Sequence, residues 1–450
     1  MLFLDIIGGG LAGSEAAWQA ANRGINVHLF EMRPKITTGA HQTDQLAEMV
    51  CSNSFGSKIS DRASGLLKDE MRILGSLILK CAEESEVPAG GALAVDRDIF
   101  SESVTEAVTS HPNIVVTREE VTELEANKAT IIASGPLTSP ALSENITEIT
   151  KHEGLAFFDA IAPIVRAESI NMEIAFRASR YNRGERSEGD YINCPFTRDE
   201  YYNFVEAIIG AERIQLRSFE EEINHGVKAG LHTFFEGCLP VEIIANRGKE
   251  SLAFGPMRPV GLRDPRTGKR PHAVLQLRQD NLAGSMYNLV GFQTNLTYKE
   301  QKRVFRMIPG LENAEFERYG QMHRNTFIAS PALLNPTMQF RTINNLFFAG
   351  QITGVEGYMG NAATGLLAGI NAARYLNNLP LLTLPADTML GALCHYITHA
   401  ELEAFQPMKA NFGIIPPLPE AIKGKRNRAR AHSERAIAAL QMFINKNEPL

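Results

Sequence analysis

The stretch Leu4 to Glu31, LDIIGGGLAGSEAAWQAANRGINVHLFE, limits the possible folds more than any other part of the chain. Leu4, Ile6 and Ile7 read as a buried strand, Gly8, Gly10 and Gly13 as a G-x-G-x-x-G turn, and Ser14 to Arg23 as a helix. Gly24 ends the helix, Val27 to Phe30 form the next strand, and the unit closes on Glu31. The glycines meet different needs: a tight turn, close backbone approach to a pyrophosphate, and close packing of helix on strand. N–H groups from Gly9, Gly10, Leu11 and Ala12, at the helix start, then face phosphate oxygens. An acidic side chain at the end of the second strand suits ribose hydroxyls and repels a ribose phosphate. The adenosine expected here is therefore that of FAD or NAD rather than NADP.

A second glycine-rich region, far along the chain, separates FAD from NAD. Ala129 to Ile132 reads as a strand running into Ala133-Ser-Gly135-Pro136, a small-residue turn of the kind from which a flavoprotein chain leaves its cofactor domain. Leu346-Phe-Phe-Ala-Gly350-Gln351 is another apolar strand ending in glycine. Gly354, Gly357, Gly360 and Gly365 accompany a helix from about Ala362 to Leu376. This arrangement brings a second helix N-terminus to a flavin, and an NAD dehydrogenase has no need of it. The usual acid after Ala-Gly is replaced by Gln351. The fold expected is α/β, with a discontinuous, glutathione-reductase-like Rossmann FAD domain over residues 1–150 and 301–450. An inserted mixed α+β substrate domain is expected over 151–300, where short aromatic and β-branched runs (Phe157, Phe158, Tyr191, Ile192, Phe234, Phe235) suit a mainly antiparallel sheet. Ala63 to Ala82 carries helical periodicity through Leu66, Leu67, Met71, Leu74, Leu77 and Ile78.

With 450 residues, 44% of them hydrophobic and 21% charged, the chain is an ordinary globular one with room for two or three domains. Net charge is −6, so a nucleic acid would have to be held by local basic patches. No apolar run approaches the roughly 20 residues that span a bilayer. No basic leader precedes the first strand, which makes the cytoplasm the expected compartment. The five cysteines, Cys51, Cys81, Cys194, Cys238 and Cys394, are widely spaced and include no C-x-x-C, so neither a disulfide framework nor a metal site is expected.

Six segments together resemble one family: Gly8–Gly13, Val50-Cys-Ser-Asn-Ser-Phe55, Ala133-Ser-Gly-Pro136, Phe235-Glu-Gly-Cys-Leu-Pro240, Met322-His-Arg-Asn325 and Ala349-Gly-Gln-Ile-Thr-Gly-Val-Glu-Gly-Tyr358. They are similar to the folate- and FAD-dependent tRNA (uracil-5-)-methyltransferases, the TrmFO or Gid family, over nearly the whole length. The resemblance implies formation of ribothymidine in the T-loop of tRNA. The carbon would come from 5,10-methylenetetrahydrofolate and the electrons from FAD, reduced by NADPH or NADH.

Carbon 5 of uracil is a poor nucleophile until a thiolate adds to carbon 6, so such an enzyme needs a reactive cysteine. Cys238 is the candidate. It sits beside Glu236 and Glu242, which alone would raise its pKa, so activation requires a cation that the sequence does not place. The resemblance gives Cys51 a role near the flavin, handling the one-carbon unit or a proton, and which of the two attacks the base stays open. Cys81, Cys194 and Cys394 read as core residues. The resemblance also gives His323 a place on the folate pterin, and Tyr358 is a candidate to point its hydroxyl at the flavin.

Two basic runs are candidates to hold tRNA phosphates: Arg258, Arg263, Arg266, Lys269, Arg270 and Arg278, and Lys423, Lys425, Arg426, Arg428, Arg430 and Arg435. Three rival readings remain: the same chemistry on a ribosomal RNA uridine, a flavin-binding RNA chaperone, and an NAD(P)H-dependent FAD oxidoreductase acting on a small molecule.

Overall fold

The glycine turn joins β1 (Phe3–Ile7) to α1 (Leu11–Ala21), and β2 (Asn26–Glu31) follows. The helix begins at Leu11, earlier than the expected Ser14, because Gly10 takes the extended cap conformation. The computed structural model describes residues 2–38, 40–152, 155–214 and 239–448, without the side chains of 155–160, 322–324, 326 and 404. Cys238, Glu236 and Phe234-Phe235 therefore lie outside the described residues, as do the side chains of His323 and Phe157-Phe158.

The chain continues through β3 (Ser54–Ser57), α2 (Ala63–Ile73), α3 (Leu77–Glu84), β4 (Glu86–Val87), β5 (Ala92–Val95), α4 (Arg97–Thr109), β6 (Ile114–Arg118), β7 (Ala129–Ile132) and α5 (Pro140–Thr150). The helix expected over Ala63–Ala82 is two helices. Gly75 has φ +73, which ends the first, and the Ser76 hydroxyl accepts the Leu79 N–H to cap the second. Glu15 of α1 accepts the Ser76 hydroxyl and the N–H groups of Leu77 and Ile78, so the break is also a tertiary joint.

Residues 155–160 (β8), Ile164–Arg166 (β9), Phe176–Ala178 (β10), Tyr191–Phe196 (β11), Arg198–Ile209 (α6) and Val241–Asn246 (α7) come next, followed by Ala273–Gln279 (β12), Met286–Leu289 (β13), Tyr298–Phe305 (α8) and Phe316–Arg318 (β14). Met322–Phe327 (β15), Leu346–Phe348 (β16), Tyr358–Leu376 (α9), Met389–His399 (α10) and Lys425–Asn447 (α11) complete the order.

One sheet is parallel throughout, in the order β16-β7-β1-β2-β6. Leu4, Ile6, Ile131, Phe347 and Phe348 in it are fully buried, as in a sheet covered on both faces. Its strands come from both ends of the sequence, and they share one core with α1 and α9. The second sheet, β10-β11-β12-β13-β9-β14, is antiparallel and has its own core. That core takes in Val304 and Phe305 of α8 and Phe316 of β14, so the return expected at residue 301 falls inside it.

Small residues bring α1 and α9 together. A Cβ on Gly365 would stand 2.2 Å from the Ala12 carbonyl oxygen, and one on Gly369 2.5 Å from that of Ala16. Glycines here serve helix-on-helix approach, with no part in a turn.

Glu70 of α2 is fully buried and accepts the N–H groups of Met389 (2.6 Å) and Leu390 (2.9 Å) at the start of α10. Burial pushes its carboxyl up to about 8, against the pull of those two bonds. The unfolded carboxyl ionises near 4.5, so between there and about 8 the folded chain holds a proton that the unfolded chain has lost. Stability therefore falls as pH rises through that window, by at most about 1.4 kcal/mol per pH unit. In Glu70→Gln the unfolding midpoint in urea is expected to fall less with rising pH than in the unsubstituted protein. Equal slopes would remove Glu70 as the cause.

Candidate functional site

The carboxyl ends of β1, β2 and β7 open on one elongated cavity, where ligands of open α/β sheets bind. Gly8, Gly10, Leu11 and Ala12 line one part, Phe30 and Glu31 a second, Ser134, Gly135 and Pro136 a third, and Gly350, Gln351, Tyr358 and Asn361 the far end. Gly13 packs underneath, where a Cβ would meet the Gly8 carbonyl oxygen at 1.8 Å. A Cβ on Gly10, by contrast, would meet nothing among the described residues within 4 Å apart from its chain neighbours, and would project into open space. That position is glycine for something outside the chain, as close approach of a pyrophosphate requires.

Glu31 stands where ribose would lie, 5% exposed. One carboxylate oxygen accepts the Gly9 N–H (3.0 Å); the other accepts the N–H (3.0 Å) and Nε (2.9 Å) of Arg33. Burial alone would raise its pKa, but the Arg33 bonds and charge and the Gly9 bond outweigh burial and hold it below the usual value. It is thus an ionised acceptor with lone pairs to spare for hydroxyls. At the other end, Asn361 lines the cavity, and its side-chain oxygen is buried with no hydrogen-bond partner among the described residues. The glycine gap, the ionised acid and this orphaned acceptor fit a dinucleotide that runs the length of the groove.

A second cavity of about 400 Å³ adjoins the first. Val50, Pro136, Leu137, Gln351, Tyr358 and Asn361 line both, and Cys51, Ser52, Glu356 and Lys409 line only the second. The Tyr358 hydroxyl accepts the Cys51 N–H at 2.7 Å. Gln351 donates to Glu356 at 2.7 Å, so an acid does sit beside the position where the sequence shows an amide. Lys68, 1% exposed, donates to the carbonyls of Phe55, Ser57 and Ser64 and braces the strand that follows Cys51.

The structure thus gathers Gly8, Gly9, Gly10, Leu11, Ala12, Gly13, Glu31, Gly135, Gly350, Gln351, Tyr358 and Cys51 around two joined cavities. His323 lies on β15, whose backbone pairs with β8. Cys81, Cys194 and Cys394 are buried, and burial pushes their thiols up, to about 11 for Cys81 and about 12 for Cys394. Arg258, Arg263, Lys269 and Arg270 are exposed, as are Lys425, Arg426 and Arg428 on the first turn of α11.

Arg278 is a correction to the expected basic run. It is 7% exposed and donates through Nε to the Asn53 side-chain oxygen at 2.8 Å, so it is not on the surface to meet phosphate. Strand β12 is covered on both faces, and Arg278 points inward with it. Arg266 is chelated by Asp264, and Arg435 donates to the carbonyls of Pro416 and Pro417. Sequence reasoning missed Arg33, Asn53, Lys68, Arg97, Asp280 and Asn361. Of these, Asn53 stood inside a segment quoted for the resemblance and Lys68 inside the helical stretch Ala63 to Ala82.

A Rossmann-like parallel sheet with a glycine turn, an acid after the second strand and a second helix closing the groove defines an α/β protein of the FAD-binding class. The sequence of the glucose inhibited division protein A family matches residues 4–380. The chain belongs to that family, and within it to the TrmFO group. It is 56% identical over 444 residues to methylenetetrahydrofolate–tRNA-(uracil-5-)-methyltransferase TrmFO of Heliobacterium modesticaldum, covering 99% of this chain and 98% of that relative. The TrmFO of Symbiobacterium thermophilum is 58% identical over 438 residues, covering 97% and 96%. Among solved structures, GidA of Aquifex aeolicus superposes with a TM-score of 0.67 at 17% identity, over 98% of this chain and 73% of that one. That likeness concerns the fold.

Proposed function

We propose that this protein methylates carbon 5 of the T-loop uridine of tRNA, giving ribothymidine, with 5,10-methylenetetrahydrofolate as carbon donor. The observation that carries this reading is the pair of joined cavities: a dinucleotide groove whose far wall, Gln351 and Tyr358, is also the wall of the chamber that holds Cys51. The activity named for the TrmFO relatives joins methylenetetrahydrofolate to a tRNA uracil, and in this reading flavin, one-carbon donor and thiol meet at that wall.

Glu31 holds the adenosine ribose, the N–H groups at the start of α1 hold the pyrophosphate, and Gly350, Gln351 and the start of α9 hold the far end. Bound FAD, reduced by NADPH or NADH, supplies the electrons that turn the transferred carbon into a methyl group. Cys238 adds to carbon 6 of uracil, which makes carbon 5 nucleophilic, and Cys51 serves the transferred carbon or the proton leaving carbon 5. His323 contributes to the folate site. A base in a folded T-loop must leave its stack to reach these groups, and the second sheet frames its path. The exposed residues Arg258, Arg263, Lys269 and Arg270, with Lys425, Arg426 and Arg428, hold phosphates. We place the division of the chain at an N-terminal and a C-terminal cofactor portion around an inserted substrate portion, whose separate core supports an end near residue 320. The protein acts in the cytoplasm, and no helix among the described residues is long and apolar enough to cross a membrane.

The test is transfer of label from the methylene carbon of methylenetetrahydrofolate into unmodified tRNA, with FAD and NADPH supplied. Label recovered as ribothymidine is the expected result. No label, with a bound flavin that NADPH still bleaches, would overturn the methylation reading and leave an oxidoreductase. Label in ribosomal RNA transcripts alone would replace tRNA as the substrate.

A further inference from the structure

The turn Cys51-Ser52-Asn53 is gripped by two arginines that line neither cavity. Arg97, from the start of α4, donates to the carbonyl oxygens of Met49 (2.7 Å) and Cys51 (3.1 Å), and it pairs with Asp280 at 3.1 Å. Arg278 donates to Asn53, and the same side-chain amide donates to the carbonyls of Val95 and Gln279 at 2.9 Å each. Asn53 is fully buried, so the turn is pinned between β5 and β12. Tyr358 holds the Cys51 N–H and Arg97 its carbonyl, and Cys51 lines the second cavity.

The charges around this turn do not cancel. Arg97 is matched by Asp280, and across the cavity Glu356 and Lys409 contribute one charge of each sign. Arg318, from the end of β14, adds a further cation, on which the Glu48 and Asp280 carboxylates both act. Arg278 is more than nine-tenths buried, has no carboxylate within ion-pair distance among the described residues, and commits only Nε–H among them. The Asp280 carboxylate acts on both Arg97 and Arg278, so one carboxylate serves two buried guanidiniums beside the Cys51 turn. Two buried guanidiniums that share one carboxylate are costly, and a thiolate at Cys51 is a second anion at hand.

We propose that Arg278, with Arg97 fixing the backbone, holds Cys51 as a thiolate at neutral pH. The thiol proton is lost to water through the adjoining cavity, no other bond changes, and the sulfur becomes a base or nucleophile before substrate arrives. Arg278 and Arg97 are positioning residues in this scheme. The inference rests on the proposed methyltransferase reading only for the use made of the thiolate.

The experiment is the rate of iodoacetamide alkylation of the Cys51 peptide, followed by mass spectrometry from low to high pH on the full-length flavin-loaded protein without RNA. The expected midpoint is at or below about pH 7, against about 8.5 for a free cysteine. Arg278→Gln is expected to raise it by about one unit and to slow alkylation at pH 7 about tenfold, while Arg278→Lys keeps the low midpoint. A midpoint at or above about 8.5 in the unsubstituted protein overturns the proposal whatever the variants do. So does an Arg278→Gln profile that superposes on the unsubstituted one. Alkylation does not depend on methyl transfer, so a failed labelling assay with a low midpoint would overturn the function and leave the thiolate.

Discussion

Gly13→Ala is expected to yield a protein that does not retain flavin and unfolds at a lower urea concentration, whereas Gly10→Ala loses flavin alone. At Gly13 the added Cβ stands 1.8 Å from the Gly8 carbonyl oxygen, backbone against backbone, so the glycine turn must open. Gly8 itself has φ +104, with its own missing Cβ pressed to within 2.5 Å of the Ala133 carbonyl oxygen, so it has no room to retreat. A displaced turn misaims the N–H groups that face the phosphates. At Gly10 nothing among the described residues apart from its chain neighbours lies within 4 Å, so the methyl costs the fold little and intrudes on the ligand. Each variant is expected to weaken flavin at least about 100-fold, about 2.7 kcal/mol. Visible flavin absorbance after gel filtration and urea unfolding of the apoprotein separate the two outcomes. Retention of flavin by Gly10→Ala would show that the pyrophosphate does not pass over this turn.

Cys238→Ser is expected to abolish ribothymidine formation, by at least about a thousandfold, with flavin content unchanged. A serine hydroxyl is not ionised near neutral pH, so carbon 6 of uracil meets no effective nucleophile and carbon 5 stays inert. Cys51→Ala is expected to be equally inactive while still bleaching with NADPH, because Cys51 lines the chamber beside the flavin groove and not the groove itself. Label transfer and flavin absorbance on the same preparations check both. Substantial turnover by Cys238→Ser would transfer the attacking role to Cys51, which the proposed thiolate at that position would then serve.

The local rules of the chain made the dinucleotide side legible. A tight turn needs glycine, a buried parallel strand needs continuous apolar residues, and a ribose needs an acid at the next strand end. All three are short-range, and all lie between Leu4 and Glu31. The two-helix break at Gly75 was less legible, because apolar periodicity runs through it while the stop depends on a left-handed glycine and on Glu15 reaching from α1. Arg278 read as one more surface cation because its neighbours in sequence are surface cations. Burial of β12 on both faces is what turns it inward, and that depends on what packs over the sheet.

The sequence by itself determined the class of fold, the nucleotide turn, the second glycine-rich closure and the family. Those features rest on residue types whose backbone and side-chain demands are met within a few positions. Only the tertiary structure decided that Cys51 would share a wall with the nucleotide groove, that Asp280 would match Arg97, and that a buried Arg278 would stand against the Cys51 turn. The partners are separated by up to 307 residues, as Cys51 and Tyr358 are, and charge balance at a buried site is a sum over everything packed around it.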